Sequence, residues 1–297
     1  MKAIFVLLAL ALGAQAAPIL PSWTNKDALD MPKSAYYDPG SHYIFVSNVA
    51  GAPDRKDGRG WITRLTLSGK VVNAHWVDGL NAPKGMRASA GRLWVTDIDS
   101  IVEVDTKDAK VLRRIQLPGA KFLSDVAIAP DGTTLYVSDT VSSTIFKVAT
   151  PGKKPEISPW FHGPDAEGPG GLFIDGNSLI VAAWGMPDAD FSTPTPGRLY
   201  KVNLKTAQKS VITPGPIGNL DGLEKDPSTG DYFVSDWVKG IVYRVTSKGA
   251  VTPLLTGFKN SADIGVVPER HLLLVPEMGG NQLKAYDLRE LSGLLQK

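Results

Sequence analysis

NLDGLEKDPSTGDYFVSDW, residues 219–237, decides how this chain is read. Two short apolar runs flank a turn of Asp, Pro, Ser, Thr and Gly, and the second run closes on Ser235-Asp236. A near-copy, FLSDVAIAPDGTTLYVSDT, occupies 122–140. Working outward, the phrase recurs at 31–48, 82–97, 122–139, 168–184, 219–236 and 261–277. That spacing, roughly 40–51 residues, with two to four short strands per copy, is the signature of a radial array of small sheets.

Each copy follows one plan. A small or polar residue precedes a short apolar strand, as in Gly222-Leu223 or Asp125-Val126-Ala127-Ile128. Clusters such as DPGS, PDGT, DPSTG and DGNS then supply tight-turn geometry. A second strand alternates aromatic and β-branched residues, as in Tyr43-Ile44-Phe45-Val46 or Tyr232-Phe233-Val234. Later strands with period two, such as Ile241-Val242-Tyr243-Arg244-Val245 and Val111-Leu112-Arg113-Arg114-Ile115, complete the unit. Six copies of about four strands predict an all-β, six-bladed β-propeller over 17–297. The sixth copy is short of an outer strand. The segment PILPSWTNK, 18–26, is expected to supply it and close the ring, which removes a sheet edge.

The chain has 297 residues and a net charge of +2, with charges of both signs interspersed. This excludes a nucleic-acid footprint. The start, MKAIFVLLALALGAQA, reads as a secretory signal peptide over 1–16, with cleavage after Ala16. Its apolar run is too short to span a bilayer. The expected destination is the periplasm or the cell exterior. Cysteine is absent, which removes disulfides, thiol catalysis and cysteine metal sites. No nucleophile elbow and no paired-histidine motif occurs. His42, His75, His162 and His271 are scattered, and the acidic loop DRKDGRG, 54–60, lacks the ligand spacing of a calcium loop.

Topology locates a site better than any motif does. In an antiparallel blade, the start of strand one and the end of strand two share one face of the disk. Aligned, the strand-one starts read Lys33, Lys84, Ser124, Gly170, Asp221 and Ala262. One residue on, they read Ser34, Gly85, Asp125, Gly171, Gly222 and Asp263. The strand-two ends give Asn48, Asp97, Asp139, Ala183 with Trp184 next, Asp236 and Glu277. Polar groups that converge on one channel mouth make a ligand site. The competing reading has Asp97, Asp139 and Asp236 bonding backbone amides at turns. Two long loops, 49–60 and 185–197, are placed to wall the same mouth.

The phrases NLDGL, PKGM, FLSDVAIAPDG and SADIG resemble the senescence-marker-protein/gluconolactonase/LRE-like family, over nearly the whole mature chain. The resemblance implies a six-bladed propeller, hydrolysis of lactones, and one axial divalent cation, calcium or zinc. Of the family's cation ligands, the fifth-blade Asp is present as Asp221. The other three positions fall at Lys33, Ser124 and Gly170. An ammonium at Lys33 repels a cation, Ser124 offers one neutral oxygen, and Gly170 offers none. The site is therefore expected to be weak in metal or without it, with the Lys33 ammonium paired to Asp221 in the cation's place. A shifted site using Asp125, Asp221 and Asp263 is the alternative. If lactone hydrolysis survives, Lys84 or Lys33 polarises the carbonyl and Asp221 or Asp125 activates water. Ser124, Asp263, Asp97, Asp139, Asp236 and Trp184 then bind ligand. The second expectation is a non-catalytic propeller that takes a small anionic ligand or a protein partner at the mouth.

Overall fold

The computed structural model describes residues 19–293 apart from 153, 189 and 191, so the signal-peptide reading of 1–16 lies outside the described residues. Six four-stranded antiparallel sheets form the ring. Blade one comprises Pro32–Asp38, Tyr43–Asn48, Gly60–Leu65 and Val71–Leu80. Blades two to five begin at Pro83, Leu123, Pro169 and Leu220. The first strands meet one another around the axis and line it.

Blade six closes the ring as the sequence predicts. Trp23–Asn25 pairs antiparallel with Gln282–Asp287, with Trp23 opposite Ala285 and Asn25 opposite Leu283. The closure is pinned on blade one. Asn25 Nδ2 donates to Gly69 O at 2.7 Å, and the Trp23 ring packs so closely on Gly69 that a Cβ there would meet it at 2.5 Å. Gly69 also has φ +78, so glycine is needed twice over. A short helix, Leu288–Gly293, follows, and its Leu288 and Leu291 are buried against the last interblade core.

The repeated hydroxyl-acid pair at the end of strand two has a mechanical cause. Five of the six first strands are bulged near their start, between Pro32/Ser34, Pro83/Met86, Leu123/Val126, Pro169/Leu172 and Leu220/Leu223. A bulge leaves backbone groups unpaired. The strand-two hydroxyls fill those vacancies. Ser47, Ser138 and Ser235 accept from the amides of Ser34, Asp125 and Gly222 at 2.7–3.0 Å. Ser138 and Ser235 then donate to Gly170 O and Ala262 O of the next blade, and Thr96 donates to Ser124 O. One small side chain thus ties its own bulge to its neighbour's.

The following acid anchors the loop that enters strand one. Asp97 accepts from the amides of Asn81 and Ala82, Asp139 from Lys121 and Phe122, and Glu277 from Lys259. Asn48 does the same for Asp30. The phrase repeats because most blades face the same backbone-pairing problem.

Candidate functional site

Around the upper end of the axis lies a cavity of about 220 Å³, lined by Lys33, Lys84, Ser124, Gly170 and Asp221 from the strand-one starts. The five residues are brought together as the alignment of copies implies. The remaining wall is Val49, Pro53, Phe122, Thr140, Trp184, Trp237 and Met278. Trp184 is named from the sequence, and Val49 and Pro53 fall in the loop expected to wall the mouth; Phe122, Thr140, Trp237 and Met278 were missed. Val49, Thr140, Trp184, Trp237 and Met278 each stand one residue beyond the end of strand two. Side chains alternate along an extended strand. The terminal Asp therefore turns into the backbone, and the next residue faces the mouth. Extending the alignment by one position in every copy, as at Trp184, finds all five.

The 49–60 loop walls the mouth through Val49 and Pro53. The 185–197 loop lines a separate groove, and it touches the mouth's frame where Asn219 Nδ2 donates to Thr193 Oγ1 and Trp184 O. Trp184 and Trp237 lean together, ring centroids 5.8 Å apart. Trp184 Nε1 is buried and has no hydrogen-bond partner.

Lys33 Nζ lies 2.6 and 2.7 Å from the two oxygens of Asp221, and both side chains are at least nine-tenths buried. Such a pair is held by mutual need, since removing one partner strands the other's charge in a dry place. This donor set does not suit a divalent cation. Both Asp221 oxygens face an ammonium, the Ser124 hydroxyl is bonded to Thr140 Oγ1 at 2.6 Å, and Gly170 has no side chain. Among the described residues, no three His, Cys, Asp or Glu side chains are grouped to hold a metal.

Lys84 is fully buried. Its Nζ donates to Pro53 O at 3.0 Å and Ala82 O at 3.1 Å and sits 4.2 Å from the Phe122 ring centroid. Burial lowers its pKa to about 7, and the Lys33 ammonium adds to the fall, while Asp97, Asp139 and Asp54 oppose it.

Asp125 and Asp263 stand one level lower and do not line this cavity. Asp125 Oδ1 accepts from its neighbour Val126 N, and Oδ2 accepts from Leu172 N of blade four at 2.8 Å. Asp263 Oδ2 accepts from Ser34 Oγ at 2.6 Å, and its Oδ1 is buried with no partner. Burial raises Asp125, and it carries Asp263 up to about 7, with the Asp125 charge adding to the rise. Glu224, lower still, is pushed up to about 7 by burial against the opposing pull of Arg87, whose Nη2 lies 2.9 Å away. The alternative grouping of Asp125, Asp221 and Asp263 is not assembled around one space: Asp221 turns to the mouth cavity while the other two turn to amides and a hydroxyl. Asp97, Asp139 and Asp236 are likewise fully buried and off the cavity wall. Asp97 and Asp139 bond amides as described, and Asp236 Oδ1 accepts from Lys239 N.

A ring of six small sheets with one walled axial mouth is the architecture of a six-bladed β-propeller. No family model matches the sequence, and no curated protein matches it. Solved structures do resemble it. A gluconolactonase from Xanthomonas campestris superposes with TM-score 0.67 at 14% identity, covering 88% of each chain. The β-propeller domain of Cps50 (Swd1) from Myceliophteria thermophila gives 0.62 at 12%, covering 91% of this chain and 99% of that one. Hydrazine synthase from Kuenenia stuttgartiensis gives 0.56 at 13%, covering 87% and 96%. At such identities the likeness is one of fold, and one fold hosts many chemistries.

Proposed function

We propose that this chain is an exported, gluconolactonase-like hydrolase of lactones or small esters that works without a resident divalent cation. The observation that carries the reading is the Lys33–Asp221 pair at the floor of the mouth cavity, an ammonium seated where the resemblance places a metal. An ammonium does part of a cation's work, because its N–H donors stabilise the oxyanion that develops on an attacked carbonyl. Lys33 is the donor in this scheme, and Asp221 accepts the proton of the attacking water. Phe122, Trp184 and Trp237 supply apolar walls for a small ring, and Trp184 Nε1 offers a donor that no protein group uses. The fold neighbour from Xanthomonas supports the reaction class as an analogy only. Export rests on the first 16 residues, and N-terminal sequencing of protein recovered from cells tests it.

A second reading has one observation behind it. Both Asp221 oxygens already receive Lys33, so the base is engaged, and a site of this kind can bind a small anion without turning it over. A panel of lactones and small esters, assayed in excess chelator, separates the two. The hydrolase reading expects turnover that survives chelation and falls at least 100-fold in Lys33→Met and Asp221→Asn, about 2.7 kcal/mol of transition-state stabilisation. Turnover that appears only with added calcium or zinc overturns the metal-free scheme. Saturable binding of small carboxylates with no turnover selects the second reading.

A further inference from the structure

Lys84 has no role forced on it by an ion pair. Its bonded partners are two backbone carbonyls and an aromatic face, while Asp97, Asp139 and Asp54 act on it only from farther away. The carboxylate of the cavity, Asp221, is taken by Lys33. From this geometry we propose that Lys84 is a nucleophilic amine that captures small aldehydes or ketones entering the mouth cavity, as a covalent imine. The proposal rests on the cavity being a small-molecule site and is independent of hydrolysis.

The physical argument is the cost of charge. A lysine desolvated in an apolar pocket beside a second cation is the arrangement that turns an ammonium into an amine. The pocket is walled by Val49, Pro53, Phe122, Trp184, Trp237 and Met278, and the second cation is Lys33. An amine at Lys84 keeps two N–H donors, one for Pro53 O and one for Ala82 O, and has a lone pair left over. An ammonium could instead hold its third hydrogen over Phe122, and that is the structural alternative. A pKa near 7 leaves both forms populated at neutral pH.

The step balances without an oxidant or reductant. The Nζ lone pair adds to the carbonyl carbon, and a proton passes from nitrogen to the new alkoxide to give a carbinolamine. That hydroxyl then leaves as water, taking one further proton, and the nitrogen lone pair forms the C=N bond.

Reductive trapping tests it on the folded, unmodified protein. The purified chain is incubated with propanal and cyanoborohydride, and N-propylated lysines are located by peptide mass mapping. Lys84 is expected to label on the order of tenfold faster than exposed lysines such as Lys107 and Lys205 at pH 7, because burial favours its neutral, nucleophilic form. Its rate should climb between pH 6 and 8, through the deprotonation of Lys84 in the field of Lys33, Asp97, Asp139 and Asp54. Lys84→Arg, with its fold checked by circular dichroism, should lose the fast site alone. Labelling of Lys84 no faster than that of Lys107 and Lys205 overturns the proposal and makes Lys84 a structural ammonium. Fast labelling without lactone turnover supports capture and removes the hydrolase reading. Turnover with no labelling does the reverse.

Discussion

Blades three and five carry nearly the same phrase, yet their acids do opposite things. In FLSDVAI the acid is Asp125, and in NLDGLEK it is Asp221, one alignment position earlier. Asp221 turns into the mouth cavity and meets an ammonium. Asp125 turns toward the axis below it and spends both oxygens on backbone amides, tying blade three to blade four. Gly85 at the same level in blade two makes room for this. A Cβ on Gly85 would come within 2.2 Å of an Asp125 oxygen. A shift of one residue moves a carboxylate from the cavity wall to the scaffold, because alternate strand positions face different surroundings.

Four measurements break or sharpen that comparison, and the largest effect belongs to blade five's pair. Lys33→Met leaves Asp221 buried with no counter-charge and should cost about 3–5 kcal/mol in denaturant unfolding. Adding Asp221→Leu to that variant should restore most of the loss. If the single change is silent, the pair is not a buried one and the contrast fails. Asp125→Ala removes the acceptor of two amides, and the Leu172 amide is stranded between blades. A loss of about 2–3 kcal/mol is expected, with lactone or ligand assays at the mouth unchanged. Loss of mouth function at full stability would return Asp125 to the chemistry the sequence reading assigned it.

Next come the hydroxyls that serve both blades alike. Ser138→Ala and Ser235→Ala should each cost about 1–2 kcal/mol, and a large asymmetry between them would show that the bulges are not equivalent devices.

The smallest effect is a pH slope. Asp263 and Glu224 hold protons up to about pH 7 in the fold, while in the unfolded chain they ionise near 4. Between those values the native state binds more protons, so stability falls as pH rises from about 4 to about 7; above 7 the slope reverses, because Lys84 is already neutral in the fold and still protonated in the unfolded chain. Asp131 and Asp287, held near 2, contribute their opposite slope below pH 4 and leave this window clear. Asp263→Asn should flatten the slope while keeping an acceptor for Ser34. An unchanged slope would place the titration elsewhere.

The six-fold phrase was legible because repeated backbone problems take repeated side-chain answers. Period-two strands, turn clusters and the need for a closing strand are local or near-local rules, so the ring, its blade count and the pairing of 18–26 with the last blade follow from residue order. The candidate site was legible in its inner row, Lys33, Lys84, Ser124, Gly170 and Asp221, because strand-one starts share a face by topology, and in Trp184 and the 49–60 loop of its wall. Which way each neighbour turns was decided at the ends of the second strands, where successive side chains take opposite directions. That is why Trp237 enters the cavity while Asp97, Asp139 and Asp236 withdraw to backbone amides. Lys33 and Asp221 stand 188 residues apart, and no local rule joins them; only closing the ring sets the two charges at bonding distance, where burial makes each require the other.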